Sequence, residues 1–314
     1  MLDSNFFIFF YSLILSLSSI LLYQKLFIQN KIFDSISSRS SHKVEATRSG
    51  GSSIFTSLFT LSLIFYLSSN EIYDFSILIP LGIMVFVGLY DDIYRLDFKL
   101  KFIFQIIVAK IIIDNGLIID NLHGVFGVFE LSRIAGQMLT IVIVVAIINS
   151  INFIDGIDGL AISILIIFLV SFEFFSSTST GLFNLTLIFL GSVLPLYYFN
   201  FRKHKKIFLG DSGSLLIGTT VSIYVLNILS QEYSIKTEYD INKVIFVISI
   251  LPYPIIDIIR IFFIRIMNGK SPFLADKNHI HHKLLSKTND NHALTLTIIL
   301  IFSILVLFLL QTLF

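Results

Sequence analysis

The sequence contains no cysteine, and only 14% of its residues are charged. The absence of cysteine excludes disulfide bonds, thiolate nucleophiles and cysteine-ligated metal ions. The 22 basic and 21 acidic residues leave a formal net charge of +1, which gives no basis for a nucleic-acid partner. The groups available for chemistry are therefore carboxylates, histidine, lysine and arginine.

Long hydrophobic runs make up most of the chain. Of its 314 residues 55% are hydrophobic, and the mean hydropathy is +0.88, values typical of polytopic membrane proteins. We predict an all-α polytopic integral membrane protein with a single domain, residues 1–314, and about ten transmembrane helices. The apolar stretches lie near 5–24, 51–69, 76–90, 99–114, 133–150, 159–176, 182–199, 213–230, 243–262 and 293–314.

The loops between these stretches form two sets that differ in basic residues. Four loops hold fifteen Lys and Arg residues, and the four loops on the other side hold one, Lys236. The basic loops are 25–50, 91–98, 200–212 and 263–292, and the others are 70–75, 115–132, 177–181 and 231–242. Because basic loops stay cytoplasmic, we predict a multi-pass protein of the cell inner (plasma) membrane with the N- and C-termini outside. Turn signals within segment 117–130 are compatible with a small external β-hairpin.

Four polar clusters interrupt the apolar sequence, all on the side predicted to be cytoplasmic. They are Asp91 and Asp92, the series Asn149, Asn152, Asp155 and Asp158, Gly-Asp-Ser-Gly-Ser at 210–214, and His-Ile-His-His at 279–282. Carboxylates and carboxamides are costly at the edge of hydrocarbon, so such residues usually serve a bound cation or polar ligand. Their shared side predicts one active site on the cytoplasmic face.

The acidic clusters suit a cation, although each also has a simpler explanation. Adjacent Asp91 and Asp92 repel each other unless a cation or proton lies between them, but they could equally be a solvated helix end. The polar series at 149–158 approaches one helix face if the helix tightens, and packing between helices is its alternative. Asp211 could bind a metal ion, or cap the helix that follows it.

The basic candidates also leave alternatives open. Lys101 could contact a phosphate, or it could only anchor its helix at the membrane surface. The three histidines at 279–282 could contact phosphate oxygens or bind zinc, and the lack of cysteine together with the hard carboxylate ligands elsewhere favours phosphate. Asp257 and Arg260, three residues apart in an apolar stretch, are expected to pair with each other.

The order and spacing of these motifs resemble the polyprenyl-phosphate N-acetylhexosamine-1-phosphate transferases, glycosyltransferase family 4. The resemblance rests on Gly-Leu-Tyr-Asp-Asp at 88–92, Lys101 with Gln105, the motif at 149–161, Phe-Leu-Gly-Asp-Ser-Gly-Ser at 208–214, and His-Ile-His-His at 279–282. Arg39, His42, Arg48 and Gly50-Gly51 extend it into the first loop, although Thr47 stands where the family usually has proline. The histidine motif is similar to the WecA/TagO-like branch rather than to MraY.

The resemblance implies a reaction and a set of residues for it. N-acetylhexosamine-1-phosphate, with N-acetylglucosamine as the expected sugar, would pass from a UDP-sugar to polyprenyl (undecaprenyl) phosphate with release of UMP. The implied cofactor is Mg²⁺, with Mn²⁺ as an alternative, and the implied metal ligands are Asp211, Asn152 and Asp92. Implied catalytic residues are Asp91, Asp92, Asp155, Asp158, His281 and His282. Implied substrate contacts are Lys43, Arg48, Lys101, Asn149, Asn152, Asn200, Phe208 and His279.

The expected partners are the UDP-N-acetylhexosamine, the polyprenyl phosphate and the lipid bilayer, with a homodimer left open. Two other functions remain open at this point. An MraY-like enzyme would use a muramyl-pentapeptide donor. A lipid or solute transporter would also need polar residues in its membrane helices, but near the bilayer midplane and in repeated halves. The clusters lie at one membrane edge and no internal repeat is evident, which favours the enzyme.

Overall fold

The computed structural model describes residues 2–34, 46–230, 233–239, 241–269 and 278–313. Within these ranges the chain forms twelve α-helices and one short sheet. The helices are α1 (Leu2–Gln29), α2 (Gly50–Leu67), α3 (Leu78–Tyr94), α4 (Phe98–Asp114), α5 (Arg133–Ile154), α6 (Leu160–Phe175), α7 (Phe183–Asn200), α8 (Gly210–Leu229), α9 (Lys243–Ile250), α10 (Pro252–Met267), α11 (Ile280–Lys287) and α12 (His292–Leu313). The strands are β1 (Ala46–Thr47) and β2 (Lys206–Ile207).

Each of the ten predicted apolar stretches coincides with a helix or, in one case, with a pair of helices. By length and composition, seven of the described helices can cross a membrane, and the pair α9–α10 raises the number to eight. Helices α4 and α6 have 17 and 16 residues, so each is about 25 Å long, shorter than a hydrocarbon core of about 30 Å. The all-α polytopic prediction is confirmed, with fewer full-length spans than the ten expected.

The ninth predicted stretch is broken into α9 and α10, which meet at an angle of 88°. Leu251 leaves the helical conformation, with φ −125° and ψ 39°, and Pro252 begins α10. Proline donates no backbone hydrogen bond, and its ring disfavours helical geometry in the residue before it. Helix α10 then carries Tyr253 and Asp257 to the histidine motif.

Helix α8 lies at the centre of the protein, with 94% of its apolar span buried. Glycines let the backbones of its neighbours come close. A Cβ at Gly51 of α2 would lie 2.0 Å from the backbone nitrogen of Gly213, and a Cβ at Gly88 of α3 would lie 2.5 Å from the backbone of Asp211. Direct backbone packing therefore holds the start of α8 against α2 and α3.

The strands β1 and β2 form a parallel sheet that the sequence does not predict, pairing residues 46–47 with residues 206–207. The pairing continues where the N–H of Phe208 donates to the carbonyl of Thr47 at 2.8 Å. This sheet joins the first loop to the segment that leads into α8. Arg48 is brought to the start of α8 by the same contact.

Segment 117–130 forms a hairpin-like turn with little regular strand. One isolated antiparallel bridge joins Asn121 to Glu130, and the N–H of Leu122 donates to the carbonyl of Phe129 at 2.8 Å. A 3₁₀ turn, Val125–Gly127, forms the tip. The chain reverses direction as predicted, but no β-ladder develops within the described part of this segment.

Candidate active site

Three helix ends bring together four charged residues, Asp91, Asp92, Lys101 and Asp211, which we call the acidic centre. Lys101, in the first turn of α4, bonds the carboxylates of Asp91 and Asp211, with 2.5 Å between its Nζ and Asp91 Oδ2. Asp91 lies in the last turn of α3, and Asp211 in the first turn of α8. The positive charge relieves the repulsion between these two carboxylates. The position between them therefore suits a cation.

Asp92 of α3 holds the start of α8. Its buried carboxylate accepts the backbone N–H groups of Asp211 at 2.9 Å and Ser212 at 3.0 Å, and Arg48 lies 3.7 Å from its Oδ1. Gly210 has a φ of +74°, and a Cβ there would lie 2.7 Å from Asp92 Oδ2. A carboxylate at this place satisfies N–H groups that have no partner inside the helix and interacts favourably with the helix dipole. Asp92, rather than Asp211, therefore caps α8.

The two asparagines at the end of α5 contact neighbouring helices. Asn149 is buried and donates to Gln105 Oε1 of α4 at 2.7 Å. Asn152 donates to the hydroxyl of Ser214 in α8 at 2.7 Å. Helix α5 ends at Ile154, so the predicted polar series does not continue as one helix face.

Asp155 follows the last residue of α5 and interacts electrostatically with the acidic centre. Its N–H donates to the carbonyl of Asn152, three residues earlier, at 3.4 Å, so the chain tightens where α5 ends. Burial raises the pKa of the Asp155 carboxyl well above its usual range, and the negative charges of Asp211 and Asp92 raise it further. The 155–159 turn thus adds a further carboxyl group to the negatively charged environment of the site.

Asp158 lies further along this turn and has different partners. Its Oδ2 lies 2.6 Å from Lys206 Nζ and 3.3 Å from His292 Nδ1. The Lys206 ammonium also lies 5.1 Å from the ring centroid of Phe208. Asp158 and Phe208 are therefore linked through one cation, next to the loop that precedes α8.

Asn200 ties the 155–159 turn to β2. Its Oδ1 accepts the N–H of Gly159 at 2.6 Å, and its Nδ2 donates to the carbonyl of Ile207 at 2.9 Å. The residue is 3% exposed, and both ends of its amide bond to the backbone. This arrangement positions the turn and differs from the direct substrate contact expected for Asn200.

The histidine motif packs against the same turn. A Cβ at Gly156 would lie 3.1 Å from His281 Nε2 and equally far from His282 Cε1. On its other side the His281 ring is hydrogen-bonded through Nδ1 to the hydroxyl of Tyr253 in α10, at 3.0 Å. The histidine motif and the 155–159 turn are therefore in direct contact.

Asp257 of α10 is the carboxylate that anchors His279. Its Oδ2 lies 2.6 Å from His279 Nδ1, and its Oδ1 accepts the N–H of Ile280 at 2.8 Å. Arg260 is 3.8 Å from this carboxylate, while Arg265 is 3.4 Å from His279 Nε2. The pairing expected between Asp257 and Arg260 is present, but as the longer contact.

The histidine group also has the composition of a metal site. Ligand atoms of Asp257, His279 and His281 lie within 4.8 Å of one another. Burial, followed by the neighbouring His282 and His279 rings, lowers the pKa of the His281 imidazole to about 3. The guanidinium of Arg265 beside His279 opposes a further cation at this place. A hard ion such as Mg²⁺ is better suited to the oxygen ligands of the acidic centre.

The chain is similar to known proteins of one family. Residues 74–229 match the model of Glycosyl transferase family 4. A probable undecaprenyl-phosphate N-acetylglucosaminyl 1-phosphate transferase of Bacillus subtilis is 32% identical over 261 residues, which cover 81% of this chain and 69% of that relative. The chain belongs to glycosyl transferase family 4, among the polyprenyl-phosphate N-acetylhexosamine-1-phosphate transferases.

Other members of the family are similar over most of the chain. The undecaprenyl-phosphate alpha-N-acetylglucosaminyl 1-phosphate transferase of Salmonella typhi is 31% identical over 277 residues, which are 85% of this chain and 72% of the relative. A decaprenyl-phosphate N-acetylglucosaminephosphotransferase of Mycobacterium tuberculosis is 27% identical over 290 residues, which are 83% of this chain and 71% of the relative. The similarity therefore extends well beyond the residues matched by the family model.

In this glycosyl transferase family 4 member, the predicted site residues form two adjoining groups. The group at or beside the acidic centre is Arg48, Asp91, Asp92, Lys101, Asn149, Asn152, Asp155 and Asp211. The group around the remainder of the turn is Asp158, Asn200, Phe208, His279, His281 and His282. Lys43, Arg39 and His42 lie outside the described residues.

Four residues contact this site although the sequence assigns them no part in it: Tyr253, Asp257, Lys206 and His292. The sequence did indicate that Asp257 has a specific partner, because a carboxylate inside an apolar helix usually has one. No sequence pattern pointed to Tyr253 or His292, since their contacts join residues 28 and 134 positions apart. Such pairs depend on how the helices pack.

Proposed function

We propose that this protein transfers N-acetylglucosamine-1-phosphate from UDP-N-acetylglucosamine to a polyprenyl phosphate such as undecaprenyl phosphate. Its relatives are named for this sugar phosphate and for undecaprenyl or decaprenyl phosphate. The observation that carries the proposal is the acidic centre, where Lys101 joins Asp91 to Asp211 at the ends of apolar helices. The products are a polyprenyl diphosphate sugar and UMP, and the reaction is the first membrane step of a cell-envelope glycan.

The reaction brings two anions together. An oxygen of the polyprenyl phosphate attacks the sugar-linked phosphorus, the bond from that phosphorus to the UMP oxygen breaks, and UMP leaves with the electron pair. Because the reactants repel each other and UMP gains negative charge, fixed positive charge supplies most of the catalysis. Lys101 and Arg48 provide such charge at and beside the acidic centre.

A divalent cation fits this site. Mg²⁺, or Mn²⁺ in its place, prefers carboxylate and amide oxygens. The carboxylates of Asp91 and Asp211 already surround one positive charge, the ammonium group of Lys101. Asp211 is the principal ligand in this proposal, with Asn152 as a second. Asp92 is less available, because its oxygens accept two backbone N–H groups. The bound ion would neutralise phosphate charge.

The other predicted residues have roles that agree with their partners. Asp91, which shares Lys101 with Asp211, positions or deprotonates the lipid phosphate. Asp155 and Asp158 hold the nucleotide or its metal ion. His281 and His282 contact phosphate oxygens, and the ring of Phe208, beside Lys206, stacks on uracil.

We place this site at the cytoplasmic face of the plasma membrane, with both termini outside. The acidic centre lies at the last turn of α3 and the first turns of α4 and α8. These helix ends adjoin loops 91–98 and 200–212, which belong to the basic set. The positive-inside rule then supports delivery of the nucleotide sugar from the cytoplasm.

The experiment is incubation of membranes containing the protein with radiolabelled UDP-N-acetylglucosamine, undecaprenyl phosphate and Mg²⁺, followed by extraction of labelled lipid. We expect labelled lipid and UMP in equal amounts, and no product after chelation of the metal. Asp211→Asn should lower UMP release by about 100-fold or more, because the metal loses its main ligand. Asp114→Asn is the control, since Asp114 is an exposed carboxylate at the opposite end of α4.

Three results would contradict parts of this proposal. Full metal-dependent activity of the Asp211→Asn variant would show that Asp211 is not the principal ligand of the metal ion. Lipid product from a UDP-muramyl-pentapeptide but none from UDP-N-acetylglucosamine would change the sugar. Movement of lipid or solute across sealed vesicles without UMP release would favour the transporter.

A further inference from the structure

The buried contact between Tyr253 and His281 determines which nitrogen of the imidazole carries the proton. The Tyr253 hydroxyl lies 3.0 Å from His281 Nδ1, and the two residues are 2% and 0% exposed. Water therefore does not compete for this hydrogen bond. Either group could formally donate, so the direction follows from the other hydrogen-bond partners of each atom.

The phenol has to be the donor. Within the described part of the chain, the hydroxyl of Tyr253 has one acceptor within hydrogen-bond distance, His281 Nδ1. If Nδ1 carried the proton and donated, the buried phenolic O–H would be left without an acceptor, which is unfavourable for a group that water cannot reach. The neutral ring therefore accepts through Nδ1 and carries its proton on Nε2.

The protonated Nε2 then faces the 155–159 turn without a hydrogen-bond partner among the described residues. This atom is buried and makes no hydrogen bond to any described residue. It points at the 155–159 turn, since a Cβ on Gly156 would lie only 3.1 Å from it. A buried N–H that lacks an acceptor in the protein is expected to bind an oxygen of a ligand.

The neighbouring His279 provides the contrast. Its Nδ1 is bonded to the carboxylate of Asp257 at 2.6 Å, and its Nε2 lies 3.4 Å from Arg265. Both nitrogens of His279 are used inside the protein, whereas His281 keeps one for a ligand. The two rings are stacked with their centroids 5.4 Å apart. Although they are neighbours, their different hydrogen-bond partners give them different functions.

We infer that Tyr253 is a positioning residue that holds His281 as the Nε2–H tautomer, and that His281 donates this hydrogen to a phosphate oxygen of the substrate and does not serve as a base. The inference rests on the proposed function for the identity of that oxygen. The tautomer itself depends only on the hydrogen bonds within the protein.

The first test is nitrogen NMR of the ¹⁵N-histidine-labelled protein without substrate. The chain has seven histidines, and the His281→Gln spectrum identifies the resonances that belong to His281. We expect a protonated Nε2 and an unprotonated Nδ1. Added inorganic pyrophosphate should shift the Nε2–H resonance. A protonated Nδ1, or no response of Nε2 to pyrophosphate, would overturn the inference.

Activity measurements separate a donor from a base. Glutamine can place an amide N–H near the position of Nε2, and asparagine near that of Nδ1, while neither amide is a base. We expect His281→Gln to keep at least about ten times more activity than His281→Asn, as the energy of one hydrogen bond to a charged oxygen allows. Equal loss in both variants would point to a base, and a bound transition metal that His281→Gln loses would point to a metal ligand.

Tyr253→Phe removes the positioning hydroxyl and keeps the ring. We expect kcat/KM to fall by about tenfold, the value of one hydrogen bond, with loss of the single His281 tautomer from the spectrum. Tyr233→Phe is the matched control, because Tyr233 is also buried and donates to the carbonyl of Phe172 at 2.7 Å, far along the chain from the histidine motif. An equal fall in activity for both variants would show a merely structural effect.

These tests distinguish the two proposals. If no variant and no wild-type sample forms labelled lipid, while the spectrum still shows Nε2–H and its response to pyrophosphate, the proposed function fails and the donor assignment stands. If the lipid is formed but Nδ1 carries the proton, the donor assignment alone fails.

Discussion

Asp92 illustrates how one side chain can serve the fold and the site at once. The resemblance to the family implies that it is a catalytic residue and a metal ligand. In the structure its oxygens accept the backbone N–H groups of Asp211 and Ser212. A residue that fixes the backbone of Asp211 also fixes the direction of the carboxylate proposed to bind Mg²⁺.

We therefore predict that Asp92→Asn destabilises the protein even without substrate or metal. The amide can accept only through its oxygen, and its NH₂ group would face a backbone donor, so the free energy of unfolding should fall by about 1–3 kcal/mol. Thermal unfolding of the purified protein in detergent measures this. Asp97→Asn is the control, because Asp97 caps α4 at an exposed position, 3.3 Å from the N–H of Lys99. Unchanged unfolding of Asp92→Asn without metal, together with lost activity, would assign Asp92 to the metal instead.

At the scale of elements, the contact between α3 and α8 positions the acidic centre. Gly88 of α3 lies against the backbone of Asp211, where an added Cβ would be 2.5 Å from the nearest atoms. Backbone atoms in two packed helices cannot move aside as a flexible side chain can. The distance between Asp91 and Asp211, and hence their shared bond to Lys101, depends on this glycine.

Gly88→Ala should separate these helices. We expect a loss of about 1–3 kcal/mol in stability, as for overpacked cores, and a larger fractional loss of activity, because the two carboxylates no longer meet one cation. Gly82→Ala in the same helix is the control, since a Cβ there would meet only the ring edge of Phe55, at 3.2 Å. Thermal unfolding and UMP release of both variants test this, and equal behaviour of the two would contradict it.

For the whole molecule, the orientation in the membrane remains a prediction that the sequence makes easy to test. The chain has no cysteine, so single-cysteine variants need no prior removal of native thiols. Ser179 and Lys203 are both exposed, and they lie in loops predicted to be outside and inside, respectively. In intact cells a membrane-impermeant maleimide should label Ser179→Cys and spare Lys203→Cys until the cells are permeabilised. The opposite labelling pattern would show that the orientation in the membrane is the reverse of the predicted one.

The helices of this protein could be predicted from its sequence because the hydrocarbon core of the bilayer imposes a simple requirement. Spanning segments must satisfy their own backbone hydrogen bonds, so long apolar runs become helices whatever their neighbours are. All ten predicted stretches are helical for this reason. Polar residues at the ends of such helices are costly without a partner, which is why Asp91, Asp155 and Asp211 could be proposed as candidate site residues before their contacts were known.

The tertiary structure decided which atoms meet. Asp92 rather than Asp211 caps α8, Asn200 holds a turn, and Tyr253 sets the proton of His281, because each contact joins segments distant in sequence. The parallel pairing of residues 46–47 with 206–207 is likewise a contact between segments distant in sequence. Local patterns fix the type of each element and the cost of each buried polar group. Hydrogen-bond partners depend on distances of a few tenths of an ångström between helices, which follow from packing of the whole chain.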